Sequence, residues 1–265
     1  MPALEAALVY ADRLAPFPAV ATQLLAMVRD GAYDSVEVGR LIRRDEMIAA
    51  TVLRAANAPG TGAPGRIFSL QESVVRLGAR ELLRIILQHV GATMFAETPD
   101  ASPARRRRRW RDAIGGALTT ERLARHHGYD ETELCFVAAL LRDVGSLVLD
   151  LAAQDGCTFV VEASELGAAL ASRWLLPSCL VEAIRFAHDP PRPDASMHDL
   201  LFDLVHAGDV AWSLHGSTRG VPHAVVAHVG PWLGDPAVEA IVHAAGSDVA
   251  MMERSLPTSP TRRSA

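Results

Sequence analysis

Apolar residues recur at helical spacing along almost the whole chain, and this periodicity constrains the fold more than any other feature of the sequence. Side chains three or four positions apart share one face of an α-helix. One such face is formed by Val20, Leu24, Leu25 and Val28. Sustained apolar–polar alternation, which marks a half-buried strand, is lacking, and only Cys157–Val161 is left open as a short extended piece. We therefore predict an all-α fold of about a dozen helices.

Local signals place the ends of several of these helices. An Asp or Ser that is followed three residues later by Glu is typical of a helix N-terminus, where the side chains cap free backbone N–H groups. Such pairs are Asp34 with Glu37, Ser69 with Glu72, and Asp130 with Glu133. Gly78 separates two apolar helical runs, residues 72–77 and 79–95, so we expect the helix to be interrupted there.

Composition argues against several classes of protein. The formal net charge is -5, so we expect no general attraction to nucleic acid or to an acidic membrane surface. No uncharged apolar run approaches the ~18 residues of a membrane span, and no basic cluster precedes an apolar run as in a signal peptide. The three cysteines form no C-x-x-C pair, so neither a disulfide framework nor a zinc knuckle is indicated. We expect a cytoplasmic protein without a membrane partner.

A cluster of Pro, Ser and Asp at Glu97–Ala104 interrupts the periodicity and divides the chain in two. We predict an N-terminal helical subdomain over residues 13–97, a linker over residues 98–109 and a second helical subdomain over residues 110–252. The last residues, 253–265, are mostly polar, and we expect them to form a disordered tail.

Five consecutive arginines end the predicted linker and form the sharpest local concentration of charge. They are Arg105, Arg106, Arg107, Arg108 and Arg109. They could bind phosphates, with the following Trp110 stacked on a base, or they could contact an acidic protein surface. The alternative, which we favour, is a solvated first turn of a helix with Trp110 packed inward. Because five adjacent residues cannot share one helical face, we expect a flexible basic loop that leads into a helix.

Short segments in a characteristic order carry a resemblance to a known family. These segments are Leu14–Leu25, Leu41–Asn57, Ser69–Gly78, Trp110–Ala113, Leu140–Gly145, Glu165–Trp174, Leu176–Pro177 and Glu182–Asp189. Taken together, they resemble the HDOD family, the HD-related output domains of bacterial signalling proteins. The resemblance implies an N-terminal helical bundle packed on a C-terminal helical domain like that of the HD metal-dependent phosphohydrolases. It also implies a signalling module for which hydrolysis has not been demonstrated.

The stretch Ala139–Asp150 resembles a metal-hydrolase helix in which the first metal ligand is exchanged. By this resemblance, an HD site needs a histidine near Ala113, a His-Asp pair at Arg142 and Asp143, and an aspartate near Asp209. Arginine cannot replace the histidine, because a guanidinium has no lone pair for a cation and does not lose its proton in a protein.

Related two-metal sites have further histidines, which by the same resemblance fall at Ala163 and at Ala187, beside His188. Alanine cannot ligate a metal, and a catalytic metal needs about three or more converging protein ligands. We therefore expect no metal, no cofactor and no catalytic residue. What remains is a vestigial pocket that consists of Arg142, Asp143, His188 and Asp209.

The sequence leaves two alternative positions for the Arg142 side chain. In one, its guanidinium occupies the place of the metal and neutralises carboxylates, with Asp209 as the direct partner because helix neighbours such as Arg142 and Asp143 do not face each other. In the other, Arg142 points to solvent from a helix end. A guanidinium more than about 5 Å from both carboxylates would exclude the ion pair.

Ten histidines occur, and none forms an H-E-x-x-H motif. His126 and His127 precede Gly128 at a predicted helix end, where positive charge suits the helix dipole, and we favour this structural role over a ligand role. His206, one helical turn from Asp209, is interpreted as a core histidine with a satisfied hydrogen bond.

The sequence thus favours a non-catalytic signal-transduction protein. It would act on a signalling protein partner, or bind a small ligand in the vestigial pocket. Two alternatives remain: a divergent metal-dependent phosphohydrolase with a reduced site, and a nucleic-acid-binding regulator that uses Arg105–Arg109. Nucleic acid is the less favoured partner because of the overall negative charge.

Overall fold

The computed structural model describes residues 2–14, 17–31, 33–58, 65–97, 103–188, 199–215 and 229–255. Within these ranges the chain forms α-helices joined by turns and one short 3-10 helix, and no β-strand occurs. The predicted all-α class is therefore confirmed. The segment Cys157–Val161 is neither helix nor strand. None of the described helices combines the length and the apolar character that crossing a bilayer requires.

The N-terminal part is a bundle of mostly short helices. Its elements are α1 (Pro2–Leu8), a 3-10 helix (Val9–Arg13), α2 (Ala19–Asp30), α3 (Ser35–Ile42), α4 (Glu46–Ala56) and α5 (Leu70–Glu97). Two predicted caps form. The Asp34 carboxylate accepts a hydrogen bond from Val36 N–H at 3.1 Å, and Ser69 Oγ accepts one from the backbone at 3.4 Å. Gly78 interrupts α5 with φ 75° and ψ 157°, a conformation that favours glycine, so the predicted interruption is confirmed.

The C-terminal part is built around a buried central helix. Its elements are α6 (Pro103–His126), α7 (Thr132–Leu141), α8 (Val144–Gln154), α9 (Ala163–Arg173), α10 (Ser178–Arg185), α11 (Asp199–His215), α12 (Gly230–Leu233) and α13 (Ala237–Ser255). Every residue of α7 except Glu133 is buried. A helix that is apolar on all sides must lie inside the protein. Arg142, the residue that follows α7, therefore lies in the interior as well.

The arginine run lies in a helix, which corrects one expectation. Arg105–Arg109 belongs to the first turns of α6, so the predicted flexible basic loop is wrong for these residues. Trp110 is 4% exposed, and its inward packing is confirmed. Residues 98–102 of the predicted linker and residues 256–265 of the predicted tail lie outside the described residues, whereas residues 253–255 belong to α13.

One hydrophobic cluster runs through both halves of the molecule, from Ala7 in α1 to Val249 in α13. α5 packs against α4 in the N-terminal bundle and against α6 in the C-terminal part, so the bundle is packed on the second helical domain. The predicted subdomain boundaries stay a prediction.

Close helix approaches near the site depend on glycine. A Cβ on Gly145 would lie 1.8 Å from the Ala163 carbonyl oxygen, so α8 and α9 touch through their backbones. A Cβ on Gly115 would lie 2.1 Å from the Trp212 ring, so this glycine of α6 makes room for a large side chain of α11. The helices that carry the candidate site are therefore held at short, fixed separations.

Candidate functional site

Arg142 is the centre of a charged cluster to which several helices contribute. It lies at the junction of α7 and α8 and is 2% exposed. Asp143 follows it directly, Asp209 projects from α11, and His188 comes shortly after the end of α10. The structure thus brings together all four residues of the predicted vestigial pocket.

The guanidinium of Arg142 lies between two carboxylates. Its Nη2 is 2.5 Å from Asp209 Oδ1, and its Nε donates a hydrogen bond to Asp143 Oδ2 at 3.2 Å. His188 Nε2 lies 3.1 Å from the other oxygen of Asp143. The ion pair between Arg142 and Asp209 therefore forms, and the position in which Arg142 points to solvent is excluded.

The contact with Asp143 departs from the expectation that sequence neighbours do not face each other. α7 ends at Leu141 and α8 begins at Val144, so Arg142 and Asp143 lie between two helices rather than within one. Asp143 has φ -98° and ψ 10°, outside helical geometry. This turn lets the two adjacent side chains meet, and helix spacing rules do not apply to it.

The space for the guanidinium depends on a glycine. A Cβ on Gly116 of α6 would lie 2.8 Å from Arg142 Nη1, a distance that real side chains do not adopt. Nη1 has no hydrogen-bond partner among the described residues, and the Nη2–Asp209 contact is an ion pair without hydrogen-bond alignment. The arginine is therefore held mainly by charge and by packing.

Charge around the guanidinium keeps it ionised. Burial by itself would lower the pKa of Arg142, but the carboxylates of Asp209, Asp143 and Asp112 outweigh burial and raise its pKa. Asp112 lies on α6, and its Oδ1 accepts a hydrogen bond from Trp212 Nε1 at 3.4 Å. The site is thus a permanent buried cation surrounded by acidic groups.

Exposure differs across the cluster. The Arg142 side chain is 1% exposed, that of Asp143 20%, that of Asp209 24% and that of His188 41%. Asp143 therefore connects a buried cation on one side with a solvent-accessible imidazole on the other. His188 is the most exposed of these four side chains.

His206 links α11 to the chain segment that carries His188. It is 3% exposed, and its Nε2 donates a hydrogen bond to the Phe186 carbonyl oxygen at 2.9 Å, because a carbonyl oxygen can only accept. The interpretation as a satisfied core histidine is confirmed. The bond links α11, which carries Asp209, to Phe186, two residues before His188.

The residues present do not fit a metal ion at the HD position. Ala113 and Ala187 are buried and offer no ligand, and the Ala163 carbonyl is packed against Gly145. The Arg142 guanidinium occupies the space beside both remaining carboxylates, so a cation would have to displace it. Two residues that contribute to the site, Asp112 and Gly116, were not predicted from the sequence. The Gly115–Gly116 pair inside a helix was the available signal.

The arginine run mainly contacts acids of the same chain. Arg107 Nε lies 3.6 Å from Glu253 Oε1 on α13, and Arg108 Nε lies 3.8 Å from Asp112 Oδ2. Arg109 pairs with Asp150 on α8. These contacts link the start of α6 to α8 and α13, and they reduce the charge that the run presents to a partner.

Fold and site define an all-α domain with HD-like helices and an arginine at its carboxylate centre. The sequence profile of the HDOD domain matches residues 14–190. The chain therefore belongs to the HDOD family.

A relative in Treponema pallidum (strain Nichols), an uncharacterized protein, is 25% identical over 233 residues. The match covers 78% of this chain and 44% of that protein, so the chain spans less than half the length of this curated relative.

Solved structures share the fold. An HDOD domain protein of unknown function from Geobacter sulfurreducens has a TM-score of 0.66 at 21% identity, over 95% of this chain and 96% of that chain. A protein of Marinobacter aquaeolei VT8, provisionally named a signal transduction protein, has a TM-score of 0.66 at 19% identity. The match covers 91% of this chain and 59% of that chain. A protein of Shewanella amazonensis SB2B, provisionally named a phosphohydrolase, has a TM-score of 0.56 at 20% identity. The match covers 93% of this chain and 94% of that chain.

Proposed function

We propose that this chain is a non-catalytic signal-transduction module that acts by binding a signalling protein at the surface around His188 and Asp143. One observation carries the proposal: the buried guanidinium of Arg142 lies between Asp143 and Asp209, where HD relatives would hold a metal. A guanidinium neutralises carboxylates as a metal would, but it cannot polarise a substrate as a Lewis acid or generate a metal-bound hydroxide.

The same centre offers a way to transmit a binding event. Asp143 accepts from Arg142 with one oxygen and contacts His188 with the other, so an exposed residue is linked to a buried one through a single carboxylate. A partner that draws His188 away removes one contact of Asp143, whose other oxygen accepts from Arg142. Arg142 in turn contacts α11 through Asp209. Signal transfer then follows from ion-pair rearrangement between packed helices.

The greater length of two relatives and the net charge of this chain both support a protein as the partner. The matches cover 44% of the Treponema pallidum relative and 59% of the Marinobacter aquaeolei chain, so in those proteins the module accompanies further sequence. Nucleic acid is disfavoured, because the chain carries a net charge of -5 and three arginines of the run contact its own acids.

Metal content and hydrolysis test the non-catalytic part. Tag-free wild type and Asp143→Ala are analysed for bound Fe, Mn and Zn, and both are assayed on a chromogenic phosphodiester with each metal added. We expect no hydrolysis and no metal that depends on Asp143. Stoichiometric metal together with hydrolysis, both lost in Asp143→Ala, would instead establish a divergent phosphohydrolase.

Partner capture tests the binding part. Wild type, His188→Ala and a control with Arg105→Gln and Arg106→Gln are used as baits in extracts of the native cell. We expect a captured protein that is lost with His188→Ala and kept with the control. Capture that is indifferent to His188 contradicts the proposal. Binding of nucleic acid that weakens steeply with salt and fails in the control would replace the proposal with the regulator alternative.

A further inference from the structure

We propose that His126, His127 and Asp235 form a site for a single Zn²⁺ ion that fastens the C-terminal helix α13 to the end of α6. One ligand atom from each of the three residues lies within 4.8 Å of the others. The site shares no residue with the Arg142 cluster. Asp235 also lies beyond residues 14–190, the part that matches the family profile.

The end of α6 explains how two adjacent histidines come to face one site. Tyr129 N–H donates to the Ala124 carbonyl at 2.8 Å, and Gly128 N–H donates to the Arg125 carbonyl at 3.2 Å. This pair of bonds is the Schellman motif, which needs a left-handed residue such as Gly128 at φ 72°. The helix stops within the His-His pair, and the two rings lie with centroids 5.1 Å apart.

Two of the three ligands, Asp235 and His127, are oriented by a further contact, as metal ligands are in proteins. Asp235 Oδ1 accepts from Ala237 N–H at 2.8 Å, which leaves Oδ2 directed at His126 Nε2, 2.8 Å away. The His127 ring packs edge-on against Trp232 at a centroid distance of 4.7 Å and an interplanar angle of 86°. The three groups are therefore positioned before any ion arrives.

The ligand chemistry selects the class of cation. Two imidazoles and one carboxylate suit Zn²⁺ and its transition-metal neighbours, whereas Mg²⁺ and Ca²⁺ prefer sites made of oxygen. Both histidines are exposed, so an ion reaches them from solvent, and one coordination position stays open to water. The C-terminal end of α6 carries partial negative charge, which favours a cation there.

The consequence of occupancy follows from where the ligands originate. The histidines belong to the end of α6, and Asp235 lies just before α13, which packs along α6 and α11. A shared ion replaces one hydrogen bond between these elements with three metal bonds. Zn²⁺ therefore controls how firmly α13 is docked, through ligands that are not part of the Arg142 centre.

The test is a Zn²⁺ titration of tag-free protein by competition with a chromophoric chelator, supported by the visible spectrum of the Co²⁺ form. Variants are His127→Ala and Asp235→Asn; the second keeps a side-chain oxygen for the Ala237 N–H, so its fold is preserved. Controls are His243→Ala, an exposed histidine of α13 outside the site, and Asp143→Asn at the other centre. Metal-free thermal unfolding shows that all variants fold.

We expect one Zn²⁺ per chain in wild type and both controls. Affinity should fall more than about 100-fold in the two site variants, because the loss of outer partners alone costs about 10–100-fold. Zn²⁺ should also slow amide exchange in residues 237–255. Absent binding, equal binding by all variants, or unchanged exchange overturns the proposal. Binding that is lost only in Asp143→Asn overturns it as well and, unlike the other outcomes, counts against the non-catalytic proposal too.

Discussion

Replacement of Arg142 by methionine should destabilise the protein by about 3 kcal/mol. Removing one partner of a buried ion pair typically costs about 3–5 kcal/mol, because it leaves an uncompensated buried charge. Here the change leaves Asp143 and Asp209 without their cation. Their side chains remain 20% and 24% exposed and keep some hydration, so the lower end of that range applies. Methionine fills much of the vacated volume, which limits the cavity contribution.

The assay is urea denaturation followed by circular dichroism, with thermal unfolding as a second measure. For a chain of this size, a loss of about 3 kcal/mol corresponds to a decrease in Tm of roughly 6–12 °C. A triple variant, Arg142→Met with Asp143→Asn and Asp209→Asn, removes all three charges at nearly constant shape. It should return to within about 1 kcal/mol of wild type, because no uncompensated buried charge is left when all three charges are removed together.

Two results would refute the reasoning. A loss below about 1 kcal/mol in Arg142→Met would mean that the carboxylates are adequately solvated without the arginine. A triple variant no more stable than Arg142→Met would mean that the arginine acts through packing rather than charge. A double-mutant cycle between Arg142 and Asp209 separates their direct interaction from that with Asp143.

Three further predictions follow from burial and close packing. Gly145→Ala should cost more than about 3 kcal/mol in urea denaturation, because its Cβ would lie 1.8 Å from the Ala163 carbonyl. His206→Leu should cost about 1–3 kcal/mol in the same measurement, since the Phe186 carbonyl would lose its buried donor. Cys135 should react with a thiol reagent at pH 8 only on unfolding, because burial raises the pKa of its thiol and blocks access.

Much of the fold could be predicted because its causes are local. The Asp34 cap and the interruption at Gly78 depend on a few neighbouring residues, and both form as expected. The pairing of Arg142 with Asp209 could be inferred from the sequence in a different way. The family resemblance placed both residues at one site, and the cost of unpaired buried charge made their contact one of two open alternatives.

Other features depend on partners that are distant in sequence. The arginine run was expected to be a flexible loop, because five adjacent residues cannot share one helical face. In the folded chain Asp150 and Glu253 supply counter-charges to this helix. Likewise, His126 and Asp235 are 109 positions apart, so no local pattern could show that they meet.

The Arg142 centre and the proposed zinc site differ in one physical respect that bears on signalling. Arg142 is covalently part of the chain, so the charge between Asp143 and Asp209 cannot respond to the metal concentration of the cell. On the proposals made above, the centre near His188 responds to a bound partner, whereas the site at His126, His127 and Asp235 responds to an exchangeable ion. The two inputs meet on α11, which carries Asp209 and packs against α13. If both act on α11, zinc should change the affinity for the partner, and the partner should change the affinity for zinc by the same factor.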